Sequence, residues 1–264
     1  MVKDFENKGY WALILGGSRG LGLATAKKLA QHGMHICILH RNSRTQLESI
    51  NSHFEAIKQN GVEVITYNVD ALNKEKCDTL IKKIKEQIGE NSIRVLVHSI
   101  AKGNLKPMLS DTGEALSDDD FAITLNAMAT SLHYWMQLVF KQKLFTNAAR
   151  VVSFTSEGNT KAWRNYGAVS AAKAALEAIT RNIALEFAPY NITANCIQAG
   201  VTDTDSLRRI PGSDQIIKHS LQRNPYHRLT TPNDVANAVY LLCKDEAQWI
   251  NGTVIKVDGG EHLS

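Results

Sequence analysis

No run of apolar residues in this 264-residue chain approaches the roughly 20 needed to span a bilayer. The opening Met1-Val2-Lys3-Asp4-Phe5-Glu6 leads into no apolar secretory core, so a soluble cytoplasmic protein is expected. Cysteine is scarce: Cys37, Cys77, Cys196 and Cys243 are widely spaced and mostly set among apolar neighbours. That spacing argues against a disulfide framework or metal cluster and for buried thiols in a reducing compartment. Neither sign of charge is in excess. Thirty Lys plus Arg against 26 Asp plus Glu leave a net +4 spread along the chain, too weak to imply nucleic acid as a partner. Metal-ligand spacing is also lacking, since the nine histidines form no pair on one expected element. Asp118-Asp119-Asp120 cannot all face one ion from a helix, and the run reads as an N-terminal cap that complements the helix field.

What is present is a repeated strand and helix. With 44% apolar residues the chain can bury one substantial core, and residues 1–264 read as a single domain. Segments at Trp11–Leu15, Met34–Leu39, Val62–Tyr67, Ile93–Val97, Ala149–Phe154, Ile192–Ile197 and Thr253–Val257 are apolar nearly throughout instead of alternating. A parallel sheet covered on both faces requires that pattern. Helical patterns separate them, including one long helix from about Asp118 to Lys143 and another from about Gly167 to Phe187. The expected fold is α/β: a single-domain, Rossmann-type, doubly wound parallel sheet of seven strands with helices on both faces. The stretch 200–228 breaks the rhythm at Pro211, Gly212 and Pro225 and reads as a substrate-covering segment with a short amphipathic helix. Its Leu207, Ile210, Ile216, Ile217 and Leu221 would cover a nonpolar ligand and exclude water, a routine packed helix being the alternative.

The first strand-to-helix turn is Gly16-Gly17-Ser18-Arg19-Gly20-Leu21-Gly22. Glycines at 16, 20 and 22 permit the turn, the approach of a pyrophosphate to the helix N-terminus, and close packing of that helix on the sheet. After the second strand, a site for NAD would offer an acidic residue to the ribose 2′-hydroxyl, but the chain has His40-Arg41-Asn42-Ser43-Arg44. A 2′-phosphate is a target for guanidinium, so Arg41 and Arg19 favour NADPH, with solvated surface arginines as the alternative. Asn68 and Val69 end the third strand, where an adenine ring could lie.

Taken in order, the glycine turn, His98-Ser99-Ile100-Ala101 after strand four, Asn126, Ser156 after strand five, Tyr166 with Lys173, Gly200-x-x-x-Thr204 and Val257-Asp258-Gly259-Gly260 resemble the short-chain dehydrogenase/reductase family along the whole chain. The resemblance implies catalytic roles for Tyr166, Lys173, Ser156 and Asn126. It also implies contacts to NADPH/NADP+ from Gly16, Ser18, Arg19, Gly20, Leu21, Gly22, Arg41, Asn68, Val69, Ser99, Ile100, Ala101, Lys173, Gly200, Val201, Thr202 and Thr204. That family usually places its tyrosine four residues before the lysine. Here Val169 holds that position and Tyr166 lies seven before Lys173, a gap that resembles the enoyl-acyl-carrier-protein reductase branch, closest to its NADPH-dependent subtype of bacilli. Commoner members of that branch carry a second tyrosine ten positions before the catalytic one, where this chain has Ser156.

Geometry tests the pair independently. Seven residues at roughly 100° return Tyr166 and Lys173 to one face but separate them by about 10 Å along a full helix. Tyr166 is therefore expected at or before the first turn, with its hydroxyl and the Lys173 ammonium converging. The resemblance implies reduction of an enoyl thioester on acyl carrier protein in fatty-acid synthesis, by a homotetramer or homodimer. A 3-oxoacyl or other carbonyl reductase is the second reading, and an NADPH-binding regulator without turnover the third. Lys102, Lys106, Arg208, Arg209 and Lys218 are candidates for an entrance rim that meets the carrier.

Overall fold

The computed structural model describes residues 3–111 and 113–263. Strands β1 (Trp11–Leu15), β2 (His35–His40), β3 (Val64–Asn68), β4 (Ile93–His98), β5 (Phe145–Thr155), β6 (Thr193–Ala199) and β7 (Val254–Val257) form one seven-stranded sheet in the order β3-β2-β1-β4-β5-β6-β7. Every pairing is parallel. The apolar runs have the reason expected of them. All of β1 and β4 is buried because helices cover both faces.

One face is covered by α3 (Lys74–Ile88), α5 (Ser131–Lys141) and α6 (Gly167–Glu186), the other by α1 (Gly20–Gln31), α2 (Arg44–Lys58) and α9 (Pro232–Cys243). Leu13 and Leu15 point into the first layer, Ala12 and Ile14 into the second, as the pleat requires. All four cysteines are free and buried, and burial pushes the thiols of Cys37, Cys77 and Cys243 up to about 12. Among the described residues, no helix is long and apolar enough to cross a membrane.

Three elements depart from the sequence expectation. The expected continuous helix over 118–143 is broken into α4 (Asp118–Leu125) and α5 by a π-helical turn at Asn126–Thr130, whose extra residue per turn rotates the following side chains. Strand β5 begins at Phe145, earlier than the expected Ala149, and absorbs a register jump against β4 with Ala148 at φ 63. The covering segment holds two helices, α7 (Asp205–Arg208) and α8 (Ser213–Arg223), rather than one. The acidic run at 118–120 behaves as expected: Ser117 caps α4, and Asp120 returns a bond to the Ser117 backbone.

Two arginines are buried against the end of α9. Arg94 of β4 donates from Nε and Nη2 to the Cys243 carbonyl at 3.1 and 2.8 Å, and Arg150 of β5 donates to the carbonyls of Leu242 and Lys244. They satisfy carbonyls that the helix C-terminus leaves without partners.

Candidate active site

Strand order reverses between β1 and β4, and at the carboxyl edge there a cavity of about 1140 Å³ opens. Clefts at this switch point are where open α/β sheets bind ligands. The glycine turn forms one wall. Gly16 has φ +86, and a Cβ there would lie 2.5 Å from the Ser99 carbonyl oxygen. A Cβ on Gly22 would lie 2.4 Å from the Gly16 carbonyl oxygen, so Gly22 serves tight packing behind the turn rather than lining the cavity. Helix α1 starts with no side-chain cap and no acidic residue in its first turn. Its amide ends and dipole are thus free for an anion, which fits a dinucleotide pyrophosphate.

Gly16, Ser18, Arg19, Gly20, Leu21, Arg41, Val69, Ser99, Ile100, Ala101, Gly200, Val201, Thr202 and Thr204 all line this cavity. Asn68 does not. Its side-chain amide bridges the backbone N–H and carbonyl of Asn42, each at 3.0 Å, and so braces the loop that carries Arg41. Both candidate phosphate-binding arginines are held by carboxylates: Arg41 by Asp70 and Arg19 by Asp205, each at 2.7 Å. Asp70 lines the same wall and was not singled out from sequence; its place just after β3 was the available signal.

At the other end, Tyr166 is the residue before α6, as its distance from Lys173 demanded. Its hydroxyl lies 3.3 Å from Ser156 Oγ at the end of β5, and burial pushes the phenol pKa up, with the Ser156 bond opposing. Lys173 is buried and also lines the cavity, but its ammonium donates to the Phe154 carbonyl at 2.6 Å. Phenol and ammonium thus line one cavity, the first bonded to Ser156 and the second to the β5 backbone. A buried cation needs a near acceptor, and the β5 carbonyl supplies one. Burial lowers the Lys173 pKa to about 8, with Cys196 and Glu177 pulling the other way. His98 is buried against Ser131 Oγ at 2.8 Å, and its pKa falls to about 3 through burial and the Lys173 charge, so the imidazole is neutral.

Asn126 stands at a helix bend rather than on the cavity wall. It is exposed at the head of the π turn, with Thr130 Oγ1 at 3.4 Å from its Oδ1, and the cavity wall there is Met128. The unforeseen π turn decides which residues of this helix face inward. Of the five basic rim candidates, Lys106 is paired with Asp120, and Arg208 with Asp203 and Asp214. Lys102 and Arg209 line the cavity, whereas Lys218 does not. Leu105, Trp163, Glu157, Arg223 and Glu261 line it without having been identified from sequence, because no periodicity marks them.

Comparison with known proteins agrees with this geometry. The family model described as enoyl-(acyl carrier protein) reductase matches residues 16–262. The chain is 28% identical over 264 residues to 2-dehydro-3-deoxy-D-gluconate 5-dehydrogenase of Formosa agariphila, covering 98% of this chain and 95% of that protein. Among solved structures it resembles a short-chain dehydrogenase of Burkholderia cenocepacia in complex with NADP, at TM-score 0.83 and 26% identity over 98% of this chain and 99% of the other. It also resembles an enoyl-[acyl-carrier-protein] reductase (NADH) of Aquifex aeolicus, at TM-score 0.82 and 25% identity over 98% of each chain. With the family model spanning nearly the whole chain over a parallel sheet and a Ser-Tyr-Lys cavity, the protein belongs to the short-chain dehydrogenase/reductase family of oxidoreductases.

Proposed function

We propose that the protein reduces the 2,3 double bond of an enoyl thioester carried on acyl carrier protein, using NADPH. The observation that carries this reading is the placement of Val169 and Tyr166. Val169, four before Lys173, is buried and lines the cavity without offering a hydroxyl, while Tyr166 stands outside the helix beyond it. In a ketone the oxygen is bonded directly to the carbon that accepts hydride. In an enoyl thioester the oxygen lies three bonds from that carbon, so a donor placed farther out from the lysine suits the longer reach.

The residues present fit the dinucleotide. The uncapped start of α1 would take the pyrophosphate, Arg19 and Arg41 the 2′-phosphate, and Lys173 the nicotinamide ribose. The bound cofactor would supply a hydride for the β-carbon, and a proton drawn ultimately from water and taken up at the α-carbon completes the saturation. Tyr166 donates a hydrogen bond to the thioester oxygen as negative charge develops there, and its raised pKa keeps it a donor at neutral pH. Ser156 holds the phenol, and the Lys173 cation favours the developing charge. Leu105, Met128, Val169, Ile210 and Ile216 give the cavity an apolar wall that excludes water from the acyl chain.

The test mixes the pure protein with NADPH and either a trans-2-enoyl or a 3-oxoacyl thioester, follows reduced-nicotinamide absorbance, and identifies the product. Saturation of the enoyl substrate is expected, and reduction confined to the oxoacyl compound would overturn the reading. Carbonyl reduction is the second reading, favoured by one observation: the Ser156 hydroxyl beside Tyr166 is also suited to polarise a ketone oxygen.

A further inference from the structure

Beside the reacting end lies a buried ion cluster for which the proposed reaction has no use. Arg223, the last residue of α8, has a side chain only 8% exposed. Its Nη1 and Nη2 donate to the two oxygens of Glu157 at 3.0 and 2.7 Å, and Nη2 also donates to Glu261 at 2.8 Å. Glu261 is 2% exposed; it accepts from Ser220 Oγ of the same helix and, on its other oxygen, from the Val201 amide at 3.2 Å. Lys161 reaches Glu157 at 2.6 Å from the more exposed side.

Each acid touches a part of the site. Glu157 directly follows Ser156 and opens the short turn Glu157–Asn159. Within it Gly158 lies so close to the Tyr166 ring that a Cβ there would come 2.5 Å from Cε1. Glu261 holds Val201, part of the loop that lines the cavity after β6. A guanidinium spans two carboxylates in a fixed plane, which a point charge cannot do. Stability alone explains the cluster poorly, because buried ion pairs rarely outperform apolar packing and the buried Nε–H of Arg223 finds no acceptor among the described residues.

We propose that Arg223 is a positioning residue: by clamping Glu157 and Glu261 it holds α8, the Ser156 turn against Tyr166, and the Val201 loop in one fixed arrangement. This rests on the reading of Tyr166, held by Ser156, as the hydrogen-bond donor to the substrate oxygen. The test compares the full-length wild type with Arg223→Met, Arg223→Lys and the triple variant Arg223→Met/Glu157→Gln/Glu261→Gln. Melting temperature, NADPH affinity, steady-state reduction, and amide exchange with NADP+ bound are measured for each.

For Arg223→Met, kcat is expected to fall about ten- to a hundredfold while the NADPH Kd moves less than about threefold. Arg223→Lys should recover part of the loss. The triple variant leaves no buried unpaired charge, so its melting temperature should return towards wild type while kcat stays low. Recovery of kcat together with melting temperature would reduce the cluster to a matter of charge burial and overturn the proposal. If the wild type reduces neither thioester, the functional reading fails but the clamp is still tested by exchange. Faster exchange at 156–167 and 200–204 in the methionine and triple variants supports it, and a change confined to 213–223 overturns it.

Discussion

Replacing Lys173 by methionine should make the protein more stable and inactive. Lys173 is 7% exposed and its pKa is held at about 8 against an ordinary 10.5, chiefly by burial. That depression corresponds to on the order of 3 kcal/mol of penalty for folding with the charge in place. Methionine keeps an unbranched apolar side chain one atom shorter and without the charge, but leaves the Phe154 carbonyl without its 2.6 Å donor, a loss of about 1 kcal/mol. A net gain of about 2 kcal/mol remains, or roughly 4 to 8 °C in melting temperature at this chain length. Proton counting gives the pH dependence. Between about pH 8 and 10.5 the unfolded chain keeps a proton that the folded chain has released, so this residue makes wild-type stability rise with pH across that window. Below about pH 8 both forms are protonated and the whole penalty applies. Urea unfolding of both proteins from pH 6.5 to 10 isolates the residue, since every other group is common to the pair. Lys173→Met should lead by its full margin at pH 7 and lose that lead towards pH 10. A variant that is less stable at pH 7, or whose difference from wild type is flat with pH, would refute the reasoning.

Tyr166→Phe should reduce kcat by about 10²- to 10⁴-fold and leave the NADPH Kd unchanged, read by stopped-flow hydride transfer and by fluorescence titration. Arg41→Ala should weaken NADPH about tenfold and leave NADH alone, whereas Asp205→Asn, which frees Arg19 from its 2.7 Å pair, should tighten NADPH; equal shifts for both dinucleotides would refute the assignment of these arginines to a 2′-phosphate. Arg94→Met leaves the Cys243 carbonyl without two donors and should cost about 2–4 kcal/mol in chemical unfolding. Asn126→Ala, at an exposed position outside the cavity wall, should leave kcat within about twofold.

The sheet was legible in the residues because burial on both faces leaves a nearly continuous apolar signature, seen in Trp11–Leu15 and, apart from Arg94, in Ile93–Val97. Glycine spacing was legible for a related reason: Gly16 and Gly22 stand where any side chain would strike backbone. The distance from Tyr166 to Lys173 also carried through, since helix rise alone forces the tyrosine ahead of the first turn. The π turn at Asn126 was not legible, because position in a helical pattern assumes a constant turn and one wider turn changes which side chains face the cleft. The role of the Asn68 side chain was not legible, because a polar residue at a strand end serves a ligand or a neighbouring loop equally well, and its amide is spent on Asn42.

Local pattern thus sufficed for element type, strand direction, the glycine turn between β1 and α1 and the place of Tyr166 ahead of its helix, all of which follow from backbone geometry over a few residues. Folding was needed to pair Arg223 with Glu157 and Glu261, Arg94 with the end of α9, and Lys173 with Phe154 rather than Tyr166. Those contacts join segments distant along the chain, and a charged side chain seeking its partner in a dry interior leaves no periodic trace for a linear reading to follow.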